Sequence, residues 1–168
     1  MLLTLFSLVL LVPTFGQETI SPKQQEAMQQ LEFMIGQWAG TGWMMNRQGQ
    51  KQTFNQTENI QWKLDQAVIM VEGKGQQDDK VVHDALAIIS YDGNAEQYNF
   101  RSYLASGREG NYIATVEDNQ TFTWTIDAPG IMIKYTIQIK GDHWHEIGEM
   151  KRGENWFQFF EMDLKRQK

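Results

Sequence analysis

The chemistry open to this chain starts with glutamates and histidines set among aromatic residues. Glu58 runs on to Ile60 and Trp62, Glu72 follows Met70, and Glu146 follows Trp144, each at a spacing of two. On a β-strand that spacing puts neighbours on one face. Each carboxylate is therefore expected beside apolar side chains, in the interior they bury. A two-residue turn at Gly153-Glu154 would also set Glu161 opposite Glu146. Two carboxylates side by side in an apolar interior cannot both ionise cheaply, so one would hold a proton near neutral pH. Such a pair suits acid/base chemistry or the binding of a polar ligand group. The alternatives are an ion pair with Arg101 or Arg166, or a one-residue change in that turn that puts Glu161 outside.

The histidines are weaker candidates. His83 shares a face with Ala85 and Ala87 near one rim, where a hydrogen-bonded core or rim role competes with ligand contact. His143 and His145 flank Trp144, and two imidazoles so spaced can share a metal. The expected register pairs them with Lys140 and Gln138 on the polar outer face, so no metal site is expected. His145-Glu146-Ile147-Gly148-Glu149 begins like a zinc protease motif but lacks the second histidine and the helix. No Gly-x-Ser-x-Gly elbow occurs. The absence of cysteine excludes disulfides and thiolate metal sites. The formal charge of −6 argues against a nucleic-acid partner.

The elements that must position these groups begin with a helix expected over 22–35. Ser21 is a suitable N-cap, Pro22 suits the first helical position, and Ala27, Met28, Leu31, Met34 and Ile35 form one apolar stripe. Gly36 is placed to end that helix in a left-handed conformation. Short alternating runs broken by turn residues follow, reading as ten strands between 37 and 165. Without intervening helices they argue an antiparallel meander. A two-residue turn at Gly141-Asp142 pairs Ile139 with Trp144 and Ile137 with Glu146. A four-residue loop at 127–130 would pair Ile126 with Ile131, Trp124 with Ile133 and Phe122 with Tyr135.

The first residues read differently. Leu2 to Val12 is apolar, no charge precedes Glu18, and Thr14 and Gly16 are small. Residues 1–16 are expected to be a signal peptide, leaving 17–168 as a single exported domain, periplasmic or extracellular. No stable membrane insertion is expected after cleavage; an uncleaved anchor is the alternative.

Three motifs carry a family resemblance. They are Gly36-Gln37-Trp38-Ala39-Gly40-Thr41-Gly42-Trp43, Ile89-Ser90-Tyr91-Asp92 followed by Tyr98 and Arg101, and Trp144, Glu146 and Glu149 with Trp156 and Glu161. Together they resemble the bacterial family known as domain of unknown function fifteen-seventy-nine, within the calycin or lipocalin-like barrels. The resemblance implies a closed barrel of about ten strands and no assigned reaction. The glycine-rich Trp segment is also similar to that of the haem-binding nitrobindins, whose iron needs an inward histidine. The histidine positions do not match that need, and no cofactor is expected.

The expected architecture is all-β: a closed antiparallel up-and-down β-barrel, lipocalin/nitrobindin-like, with the helix capping one end. Trp38 should pack under the helix, covered by Arg166 as in such barrels. The candidate interior is Glu58, Trp62, Met70, Glu72, His83, Tyr98, Phe100, Trp124, Tyr135, Trp144 and Glu146. The function expected is the binding of a small apolar molecule there. One alternative is an isomerase-like or hydrolytic enzyme using Glu58, Glu72, Glu146 or His83. The other is a structural or partner-binding domain filled by its own side chains.

Overall fold

The structure, a computed structural model, describes residues 20–118 and 120–168. The expected signal peptide lies outside them. The chain opens with helix α1 (Pro22–Gln29) and a 3-10 turn (Glu32–Met34). Ten strands follow: β1 (Gly36–Met45), β2 (Lys51–Lys63), β3 (Val68–Gln77), β4 (Lys80–Asp92), β5 (Gln97–Leu104), β6 (Glu109–Glu117), β7 (Thr121–Ala128), β8 (Ile131–Lys140), β9 (His143–Arg152) and β10 (Asn155–Arg166). Each pairs antiparallel with its sequence neighbours, and β1 pairs with β10, which closes the barrel and leaves no sheet edge.

The helix is shorter than its apolar stripe suggests. Ser21 caps it, accepting from the Gln24 N–H at 3.2 Å. After Gln29 the chain tightens into the 3-10 turn, which lets Met28, Leu31 and Met34 all bury at 0–1% exposure. Ile35 is already extended at φ −61°, ψ 134°. Gly36 therefore opens β1 instead of capping a helix. Its φ of +136° disfavours other residues, and a Cβ there would stand 2.6 Å from Arg166 Nη1.

Two expected registers and one expected strand face change. Pro129-Gly130 forms a two-residue turn, so Ile126 pairs with Ile133, Trp124 with Tyr135 and Phe122 with Ile137. Proline's fixed φ and the Gly130 φ of +80° supply the two central turn residues. A shift of two keeps every side chain on its expected face. The β9–β10 turn is the two-residue Gly153-Glu154, but the pairing slips between Gln158 and Phe160. That bulge sets Met162, not Glu161, opposite Glu146 and turns Glu161 outward. On β3, Ile69, Val71, Gly73 and Gly75 lie opposite the inward residues of β2, so Met70 and Glu72 face outward. Val68 to Val71 is apolar at every position, and alternation gave no parity there.

Along the inner face, side-chain size changes with height. β3 runs Ile69, Val71, Gly73, Gly75, and its partner on β4 runs Ile89, Ala87, Ala85, His83. β5 runs Tyr98, Phe100, Ser102 against them. Large residues at the helix end fill the barrel; small ones toward the other end leave it hollow. The filled end contains Trp38, Ile60, Ile69, Ile89 and Leu164, each at most 1% exposed, with α1 laid across it.

Candidate functional site

The closed end is built around Trp38. Its Nε1 donates to the Met34 carbonyl at 2.9 Å, and the Arg166 guanidinium lies 4.0 Å from its ring. Arg166 also donates to the carbonyls of Phe33, at 3.0 Å, and Ile35. These bonds satisfy carbonyls at the end of the 3-10 turn, which otherwise lack partners. Tyr98 belongs to the same seal, its hydroxyl donating to the Ala27 carbonyl at 2.6 Å.

Above this seal lies a cavity of about 660 Å³, reaching the end formed by the β1–β2, β3–β4 and β5–β6 turns. One wall is aromatic. Trp124 stacks on Tyr135 at 4.3 Å and on Phe100 at 4.6 Å, with Tyr112 at 5.1 Å. The facing wall is small: Gly73, Ala85, Ala87 and Ser102. Phe54 and Phe160, stacked at 6.1 Å, add a second aromatic patch.

The floor is polar. Trp144 meets Trp38 edge-on at 5.5 Å, and Glu146 and Glu58 stand beside this indole pair. Trp144 Nε1 donates to Glu146 Oε2 at 3.2 Å, and the Gln56 amide donates to Glu58 Oε1 at 2.7 Å. Both carboxyls are only 7% exposed. Burial pushes Glu58 up to about 7, partly offset by the Gln56 hydrogen bond. Burial pushes Glu146 up to about 8, and the charge of Glu58 adds to the rise while the Trp144 bond opposes it. Burial and Glu146 also raise the Tyr135 hydroxyl. The floor can thus hold protons near neutral pH and accept hydrogen bonds from a guest.

Seven of the candidate residues meet in this chamber: Glu58, His83, Phe100, Trp124, Tyr135, Trp144 and Glu146. Trp62 and Tyr98 point inward but pack in the filled end. Met70 and Glu72 are corrected to the outer surface, where Glu72 accepts from Asn59 Nδ2 at 2.9 Å. Glu161 is likewise outside, so the inner carboxylate pair is Glu146 with Glu58. Gln56 and Gly73 were not anticipated. Gln56 was recoverable from β2, where it alternates with Glu58; Gly73 was hidden because the expected parity of β3, with Met70 and Glu72 inward, is the reverse of the observed one.

Of the three histidines, only His83 lines the cavity, near its mouth, where burial lowers its pKa. His143 and His145 pair across to Lys140 and Gln138 on the outer face. Both contact Asp163 Oδ1, at 3.1 and 3.0 Å. His145, Glu161 and Asp163 bring ligand atoms within 4.8 Å of one another, the one group with metal-ligand spacing among the described residues.

A closed ten-strand antiparallel meander plugged at one end by a helix is a lipocalin-like barrel. Among solved structures the chain is similar to Rv2717c from M. tuberculosis, at 15% identity and a TM-score of 0.67 over 89% of this chain and 100% of that one. It is also similar to the S-type phycobiliprotein lyase CPES from Guillardia theta, at 12% identity and a TM-score of 0.60 over 88% and 99%. Identities this low show the shared fold alone. No family model matches the chain, and no curated protein matches it.

Proposed function

We propose that this barrel binds a small, largely apolar molecule in its upper half, and that it works outside the cytoplasm after losing residues 1–16. The observation that carries the binding reading is the 660 Å³ chamber, walled by Phe100, Trp124 and Tyr135 on one side and glycine and alanine on the other. Ligand sites occupy about 300–1,000 Å³. Burying a guest's apolar surface contributes roughly 25 cal/mol per Å², enough to offset the cost of association once a few hundred Å² are covered. The chamber also tells against a barrel filled solid by its own side chains. Membership of the family known as domain of unknown function fifteen-seventy-nine belongs to this proposal, on the motifs that carry the resemblance.

Native mass spectrometry of the protein purified from its own host tests the reading. A small adduct released on denaturation is the expected result. A bare mass, from protein that also fails to take up the apolar dye N-phenyl-1-naphthylamine, contradicts it. Export is checked by the N-terminal residue of that protein, expected to be Gln17.

A second reading, acid/base catalysis on the guest, is favoured by one observation: Glu58 and Glu146 are raised to about 7 and 8 inside the chamber. It predicts that a captured guest changes mass over time with the wild-type protein and not with Glu146→Gln.

A further inference from the structure

We propose that the guest carries a basic nitrogen, an amine or amidine on an apolar body, and that this head sits on the chamber floor against Glu58 and Glu146. The proposal rests on the binding reading above and narrows it to a ligand class.

Geometry supplies the first argument. Each floor carboxyl uses one oxygen internally: Oε1 of Glu58 for Gln56, Oε2 of Glu146 for Trp144. The second oxygen of each has no donor among the described residues. Among the described residues no fully buried side-chain polar atom lacks a partner, so both free oxygens open onto the chamber. Gly73 keeps Glu58 in place: a Cβ there would stand 2.8 and 2.9 Å from the two carboxyl oxygens. The floor thus offers acceptor positions toward the guest, on side chains that are themselves almost wholly buried.

Charge supplies the second. Among the described residues the lining holds Glu58 and Glu146 at its floor and Glu109 at its rim, while its one permanent cation, Arg108, is exposed on the turn at the mouth. His83 is held toward its neutral form by burial. A carboxylate or phosphate head would meet acids with no base at its depth. An alcohol can donate to an ionised floor carboxyl or accept from a protonated one, but it brings no charge to offset theirs. An ammonium or amidinium brings several N–H donors and the opposite charge, and an ion pair with satisfied donors is what makes a buried charge tolerable.

Protons must balance. Below pH 7 both floor carboxyls mostly hold protons, so there a guest entering as R–NH3+ leaves a net-neutral site only if one of them gives its proton up. The N–H bonds of the guest stay intact, one carboxyl O–H breaks, and that proton goes to solvent. Binding should release about one proton per guest near pH 6, and less at pH 7, where Glu58 is already part ionised.

The experiment is displacement of N-phenyl-1-naphthylamine from the purified protein at pH 7 by decylamine, decanol and decanoate. The result expected is half-displacement by decylamine at about tenfold lower concentration than decanol, with decanoate weakest. In Glu58→Gln/Glu146→Gln the decylamine-to-decanol ratio should fall to about one. Calorimetry of the wild type near pH 6, in buffers of different ionisation enthalpy, should show proton release with decylamine and none with decanol, which keeps the test independent of whether the double variant folds. Equal displacement by decylamine and decanol without proton release overturns the amine class and leaves the binding reading standing. Tighter binding of decanoate overturns it too. Failure of the dye and all three competitors to bind overturns both.

Discussion

The two ends of this barrel are made by the same strands and behave as opposites. On the inner face of β3 and β4, Ile69 and Ile89 at one end give way to Gly75 and His83 at the other, through Val71, Ala87, Gly73 and Ala85. The lower half is close-packed, its indole nitrogen and turn carbonyls paired by Met34 and Arg166. The upper half spends its inner positions on small residues and buries two acids that a stability-driven core would exclude. Costs of that kind concentrate at functional sites. The difference teaches that the lower half holds the fold together while the upper half is left hollow, as the proposed binding of a guest requires.

Truncating each half in turn should show this asymmetry. Trp38→Ala removes a side chain 1% exposed at the centre of the seal and should cost about 3–5 kcal/mol of stability in denaturant titration. Trp124→Ala, beside space that is already empty, should cost less and chiefly weaken dye binding. Equal costs would erase the distinction between the halves.

The pH dependence of stability comes next. Glu58 and Glu146 titrate higher folded than unfolded, so between the ordinary carboxyl range and their raised values the folded state binds more protons. Stability therefore falls as pH rises from about 5 through 8. His83, with a lowered folded pKa, acts in the opposite sense, its contribution being lost on acidification through its unfolded value of 6.5. Thermal melts across pH 5–9 should show a decline that Glu58→Gln/Glu146→Gln flattens; a decline of the same slope in that variant would mean the floor is not its source.

Arg166→Met keeps much of the apolar stem but loses the guanidinium over Trp38 and its bonds to Phe33 and Ile35. A loss of about 1–3 kcal/mol is expected, with dye affinity little changed. The smallest stability effect should come from Ala85→Leu, which fills hollow space. Its melting temperature should stay close to wild type while dye binding weakens; a loss of several kcal/mol would mean the chamber is packed.

Much of this plan was legible in the sequence, and the misses have definite causes. Strict alternation in β8 and β9 fixed Glu146 beside Trp144, and alternation from Ile60 fixed Glu58. Alternation fails where both parities are apolar. That happens at Val68 to Val71, which misplaced Met70 and Glu72, and at Trp156 to Phe160, where the bulge turned Glu161 outward. Parity also places a residue inside without saying how deep. Tyr98 and Trp62 are inward but sit with the seal, because depth follows from how the helix plugs one end. The partnership of Glu58 with Glu146 spans β2 and β9 and depends on closure of the barrel, which no local pattern encodes.

Chemical-shift mapping of the backbone amides during titration with N-phenyl-1-naphthylamine tests the division most directly. The largest changes should fall on Gly73, Ala85, Ala87, Gly110 and Tyr135, while Ile60, Ile69, Ile89 and Leu164 stay still. Changes confined to the outer faces of the strands, or spread equally over both halves, would contradict it.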